Sequence, residues 1–252
     1  MNLASGWGAA LILTGAIMIA DTGLLPAQQP PASAEAGRAG GGSPRQRTND
    51  PEAVDLLRRL ETRYADVRTI QGRFRQIRVD PAFDEKVESQ ATFFVRKPDN
   101  FRVDYAPPRE STNLIADGYS YRYVKDLKQV ERYRFQNRKT AQDLNFLLLG
   151  FGEKTDEVLR VFAAQVLTEG VPKGMKGIQL TPHNKAEANF EYLTILVTDD
   201  ERVLPSQFSL GALDGSRTTA NLDLQTLGLN VPIAESVFRP NWPRDAQIVD
   251  IQ

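Results

Sequence analysis

Two places in the chain hold side chains of catalytic type: the run Asp199-Asp200-Glu201, and the single histidine, His183, within "TPHNKAE". Three adjacent carboxylates suggest a metal or acid-base site only by composition. They stand between two strand-like stretches, so a charged turn is the expected structure. His183 lies in a polar loop context and is expected as a solvated turn residue rather than a general base. A serine triad would have to pass through that histidine, and no Gly-x-Ser-x-Gly elbow exists. With one histidine and no cysteine, a zinc site has no conventional ligand set, and thiol nucleophiles, thiolate metal sites and disulfides are excluded. Gly40-Gly41-Gly42 belongs to a linker-like region rather than a phosphate loop. The expectation is a protein that is not an enzyme, with no metal and no cofactor.

The remaining chemistry is apolar. "DLNFLLLGFG", Asp143 to Gly152, packs Leu144, Phe146, Leu147, Leu148, Leu149 and Phe151 into ten positions. It is too short to span a bilayer and lacks the polar face of a surface helix. Such a segment buries one side on the protein and must find something for the other, so dense core and a ligand-facing lid remain the two readings. Tyr119, Tyr121 and Tyr123 alternate along one strand, and Phe94, Phe101, Phe190 and Phe208 punctuate others; for most of these a core position is the simpler reading.

The elements that must position these groups follow from period. The 252 residues are 41% hydrophobic with a net charge of −1, an ordinary globular balance with no electrostatic footprint for nucleic acid. The first twenty residues carry no charged side chain, and small-residue sites follow at Leu25-Pro26-Ala27 and Ala32-Ser33-Ala34. Residues 1–27 therefore read as a signal peptide, with an uncleaved anchor as the alternative, and either places the rest outside the cytoplasm. Residues 28–49 are a Pro/Ala/Gly/Ser/Arg linker expected to be disordered, and 50–252 form one folded domain. Asn49 or Asp50 can cap a helix with Pro51 at its first position and Leu57, Leu60, Tyr64 and Val67 on one stripe. "TIQGRFRQIRV" then alternates as a half-buried strand. Strands broken by turns continue through "SQATFFVR", "NFRVDY", "TNLIA", "YSYRYVK" and "QVERYRF", with Asp117-Gly118 the strongest hairpin signal. A helix-like piece from Thr155 to Ala164, with Thr155 as cap, precedes "GIQLTP", "FEYLTILVT", "LPSQFSLGA", "TTANLDLQTL" and "IVDIQ". A meander this long should coil into a barrel or half-barrel, with the helix and the central insertion as the elements available to cover one face.

The order of motifs resembles the periplasmic lipoprotein carrier family of LolA type. The likeness is carried by Arg96-Lys97-Pro98-Asp99, the strand Phe101 to Tyr105, Pro107-Pro108, Asp117-Gly118, Tyr123 and Gln129. It extends upstream through Phe74-x-Gln76 and downstream through "NFLLLG" and "ESVFRPNWPRDAQIV", covering roughly Pro51 to Val249. The resemblance implies an unclosed antiparallel half-barrel, mainly β with α, whose N-terminal helix and helical lid enclose an apolar cavity for acyl chains. Carried over by position, the ligand-facing residues are Leu60, Tyr64, Val67 and Ile70 on the helix and its exit, Phe101 on the sheet, and Phe146, Leu147 and Leu149 on the lid. Lys97 holds the place of a lid-tethering arginine, preceded by Arg96. Lysine lacks the planar fork, so its tether should be less directional; Arg96, one residue away in a strand, should point to the other face. Two departures are Asn145 where the family has proline and a loop after Asp117-Gly118 that is one residue short. The implied role is a monomeric periplasmic carrier that takes lipoproteins from an inner-membrane ABC transporter to an outer-membrane acceptor. A different class, an envelope sensor or regulatory module built on a similar half-barrel, is the alternative.

Overall fold

The computed structural model describes residues 49–134, 151–188 and 190–251. The expected signal peptide and linker, and the lid positions Phe146, Leu147 and Leu149, lie outside the described residues. The chain enters the fold through helix α1 (Pro51–Tyr64), where the Asp50 carboxylate accepts from the Glu52 amide at 3.0 Å and Pro51 takes the first helical position. Asn49, the other cap candidate, instead accepts from the Ala164 amide at 3.0 Å. The stripe Ala53, Leu56, Leu57, Leu60 and Tyr64 is buried, as a 3.6-residue period requires of a helix lying on a sheet.

Among the described residues, thirteen strands form one sheet: β1 (Thr69–Asp80), β2 (Glu85–Arg96), β3 (Asn100–Tyr105), β4 (Ser111–Ala116), β5 (Tyr119–Val124), β6 (Gln129–Arg134), β7 (Phe162–Leu167), β8 (Met175–Pro182), β9 (Phe190–Thr198), β10 (Pro205–Ala212), β11 (Arg217–Leu222), β12 (Gly228–Leu229) and β13 (Gln247–Ile251). Their order is β13-β6-β5-β4-β3-β2-β1-β11-β10-β9-β8-β7, with β12 also on β1. Two meanders therefore meet where β1 pairs antiparallel with β11, Phe74 opposite Leu222. The sheet stays unclosed, with β13 and β7 at its edges. The type of fold is the expected one.

Period two sorts the faces. Ile70, Gly72, Phe74 and Gln76 of β1, Ala91, Phe93 and Val95 of β2, and Phe101, Val103 and Tyr105 of β3 are buried while their neighbours are more exposed. Strand β4 breaks the rule, because Asn113, Leu114, Ile115 and Ala116 are all buried. That requires cover on both faces. Ile115 belongs to the large cluster beneath α1, whereas Leu114 and Ala116 join Tyr121, Val130 and Phe238 in a second one. Phe94, Tyr119, Tyr123, Ile233, Val237 and Trp242 pack against this second cluster. The outer coat is the C-terminal segment with its 3-10 turn (Glu235–Phe238); beyond it β13 extends the sheet, parallel to β6 and pinned by Arg132 to Asp250 at 2.6 and 2.9 Å. The alternating tyrosines are thus core, but of this outer layer.

Three sequence expectations are corrected. The piece from Thr155 to Ala164 is a helix only to Val161 (α2, Thr155–Val161), and Phe162 begins β7, paired with β8. Thr155 is not its cap: Lys154 stands there, and the Thr155 amide donates instead to the Glu61 carboxylate of α1 at 2.9 Å. Nor are the helix and the insertion the only cover, since the C-terminal segment coats the second face. A short helix, α3 (Lys185–Ala188), completes the described elements.

Candidate apolar binding site

The sheet face beneath α1 and the buried stripe of that helix form the candidate site. Leu60, Tyr64, Val67, Ile70 and Phe101 are brought together there, each buried in the large cluster. Phe151 stands among them. Its ring meets Tyr64 edge-on at a centroid distance of 5.6 Å, Phe208 at 6.1 Å and Phe93 at 6.5 Å. Phe74 continues the aromatic layer to Phe93 and Tyr105, both at 6.1 Å. Of the quoted apolar stretch, Phe151 is the described side chain that joins this cluster.

Gly152 explains how Phe151 gets so deep. Its φ of +86° suits glycine, and a Cβ there would lie 2.6 Å from the Tyr64 Cβ and 2.9 Å from the Leu60 carbonyl oxygen. The chain thus rests directly on the α1 backbone.

The two basic candidates separate. Lys97, in the turn after β2, donates from Nζ to the Phe151 carbonyl at 2.7 Å and lies 3.4 Å from the Tyr64 carbonyl at the helix end. Its amine sits in a half-buried place, where desolvation pushes its pKa down, opposed by the carboxylate of Glu153. Burial in turn pushes Glu153 up, and Lys97 works against that. Arg96 closes β2 on the opposite face. Its guanidinium is 3.6 Å from Glu235 and 4.9 Å from the Phe238 ring centroid, so it fastens the outer coat instead. Arg102 does the same, reaching the Asp104 carboxylate at 2.8 Å and the Val237 carbonyl at 3.0 Å.

A side-chain polar pair lies within the apolar layer: the Tyr105 hydroxyl donates to Gln76 Oε1 at 3.1 Å, and burial drives the phenol pKa up. Gln76 is the end of the Phe74-x-Gln76 signal. Phe151 and Gly152 stand in the quoted apolar stretch but were not singled out by spacing. Phe93 and Phe208 carried no signal beyond being aromatic. His183 is exposed, its Nε2 3.1 Å from the Leu159 carbonyl. Asp199-Asp200-Glu201 forms the β9–β10 turn, and no group of three potential metal ligands occurs among the described residues.

The profile of the family described as "Outer membrane lipoprotein carrier protein LolA" matches residues 65–241. An outer-membrane lipoprotein carrier protein of Methylococcus capsulatus is 28% identical over 143 residues, covering 57% of this chain and 65% of the relative, slightly under two thirds of its length. A protein of the same description from Halorhodospira halophila is 28% identical over 195 residues, covering 77% of this chain and 85% of its own. A solved structure of an uncharacterized conserved protein from Thermus thermophilus aligns at a TM-score of 0.49 with 12% identity, covering 79% of this chain and 99% of that one. With a family profile spanning most of the folded part, this chain belongs to the LolA family of outer membrane lipoprotein carrier proteins.

Proposed function

We propose that this chain is an exported periplasmic carrier that binds lipoprotein acyl chains on the concave face of its sheet. By family likeness it would take them from an inner-membrane ABC transporter complex and pass them to an outer-membrane acceptor, acting as a monomer. The observation that supports this reading is the Phe151 plug: an aromatic side chain among Tyr64, Phe93 and Phe208, fastened through its carbonyl by one lysine. An acyl chain entering there replaces ring contacts by methylene contacts at little net cost in apolar burial. Each methylene taken from water contributes about 0.8 kcal/mol, so a sixteen-carbon chain gains on the order of 10 kcal/mol from shelter. A carrier must also release, and contacts without directional bonds favour that. Leu60, Tyr64, Val67, Ile70 and Phe101 would line the opened space. Phe146, Leu147 and Leu149, beyond the described residues, would close over it, with Lys97 as tether.

The test is native mass spectrometry of the protein from periplasmic extract, together with titration of a fluorescent fatty acid. Bound lipid and saturable probe binding are expected, with affinity reduced at least tenfold in Leu147→Glu. Unchanged probe binding in that variant would remove the lid assignment; no lipid and no probe binding in the parent chain would end the carrier reading. The sensor reading draws on the uncharged first twenty residues, which are long enough to anchor the protein. The mass of the mature N-terminus separates the two, because a tethered chain cannot shuttle.

A further inference from the structure

The outer face of α1 carries a second feature, separate from the apolar interior. Arg58, Arg59, Thr62 and Arg63 form one wall of an open groove of about 480 Å³, and Glu201 and Val203 of the β9–β10 turn form the other. Three guanidiniums face one carboxylate. Neither Arg58 nor Arg63 has an ion-pair partner among the described residues. Arg59 is committed, donating to the Asp200 carbonyl at 3.3 Å, and so locks helix to turn.

The turn wall is built and strained. Val203 has φ of +46°, a conformation that β-branched residues avoid, and is only 3% exposed. Asp200 holds it there: one carboxylate oxygen accepts the Thr198 hydroxyl at 2.7 Å and the amides of Arg202 at 3.0 Å and Val203 at 3.2 Å. Arg202 closes on the other oxygen at 2.7 Å, so that acid is satisfied internally and does not neutralise the arginine wall. The Val203 carbonyl in turn lies 3.3 Å from the Tyr64 hydroxyl, so groove and plug share a residue.

We propose that this groove docks an extended acidic peptide segment of a partner protein, its carboxylates on the exposed Arg58 and Arg63. Planar guanidiniums suit bidentate carboxylate binding, and a turn already held in its strained form costs no ordering when the peptide arrives. Charge rules out this chain's own linker, because residues 28–49 carry Arg38, Arg45 and Arg47 against Glu35. A bilayer surface fits poorly, since the exposed large apolar side chains Phe83, Leu127 and Leu213 do not line this face.

The probe is a fluorescein-labelled peptide of sequence Gly-Asp-Glu-Leu-Glu-Asp-Gly, titrated by anisotropy. The expected result is saturable binding that weakens at least tenfold in Arg58→Glu/Arg63→Glu. It should change less than twofold in Lys173→Glu/Arg217→Glu, which alters net charge equally elsewhere. If the charge-reversed chain loses its circular dichroism signal, Arg58→Gln/Arg63→Gln takes its place, with at least threefold weakening expected. Equal loss in both double variants, or no loss in either, overturns the proposal. So does sedimentation with phosphatidylglycerol vesicles without peptide binding, or a groove-dependent dimer in light scattering. Fatty-acid probe binding should be unchanged by Arg58→Glu/Arg63→Glu, so this proposal and the carrier reading can fail separately.

Discussion

A lysine amine set against two backbone carbonyls does what a neutral donor would do, while carrying a charge that its half-buried position disfavours. Replacing it by an apolar side chain of similar length leaves the Phe151 carbonyl without its donor, which costs about 1–3 kcal/mol. Lys97→Met is therefore expected to lower stability by that amount in urea unfolding, with Lys97→Arg nearer the parent. Next to it, Glu153 has its pKa raised by burial. A raised carboxylate contributes stability that is fully present below 4.5 and lost as pH rises through its folded value. Glu153→Gln should thus match the parent near pH 4 and exceed it at pH 7 in urea unfolding; a parent more stable than the variant at pH 7 would reverse this account. Gly152 is the most constrained of the three. A side chain there meets both positive φ and the backbone of α1, so Gly152→Ala is expected to cost about 2–4 kcal/mol.

At the scale of elements, what was legible in the sequence is what local chemistry decides. Pro51 after Asp50 starts α1, and Asp117-Gly118, at φ of 53° and 79°, turns β4 into β5. Alternation in β1 to β3 sorts inside from outside. What stayed hidden depends on partners far along the chain. "FAAQVL" has the apolar content of a helix end and becomes a strand because β8 offers it an edge. The segment from 230 to 246 has no period to read, and only the finished sheet shows that Trp242 lies on Tyr121 and Tyr123, at 5.8 and 5.6 Å. The candidate site was half legible: helical spacing finds Leu60 and Tyr64, but inward apolar residues look alike whether they border a cavity or fill it. Phe151, the filler, is distinguished only by the glycine after it. The outer coat makes its own prediction. Trp242→Ala removes a partly covered ring from two tyrosines and should cost about 1–3 kcal/mol. Thermal melts followed by circular dichroism should shift accordingly, while fatty-acid binding on the other face stays within twofold.

For the whole molecule, the question is which part yields when a chain of methylenes arrives. The strands β1 to β5 are joined by continuous ladders, every residue from Thr69 to Asp80 paired with β2. Opening them would break many backbone bonds at once. The ties on α1 and its neighbour are few and local: Lys97 to Phe151, the Thr155 amide to Glu61, the Tyr64 hydroxyl to Val203, and Arg59 to Asp200. The N-terminal end of α1 is held separately, where the Asp50 amide donates to the Ala164 carbonyl of β7 at 2.8 Å. On the carrier reading, the helix lifts at its C-terminal end once these four ties are broken, hinged at its start, with the sheet as a fixed wall. Segments of low local stability exchange their amide hydrogens first. Loading with a sixteen-carbon fatty acid is expected to speed exchange at least tenfold at residues 61–68 and 151–161. Amides of β2 to β5 should keep their rates, and so should those at the start of α1. Faster exchange throughout β2 to β5 would mean that the sheet itself opens, and the hinge assigned to the Asp50 end of α1 would be wrong.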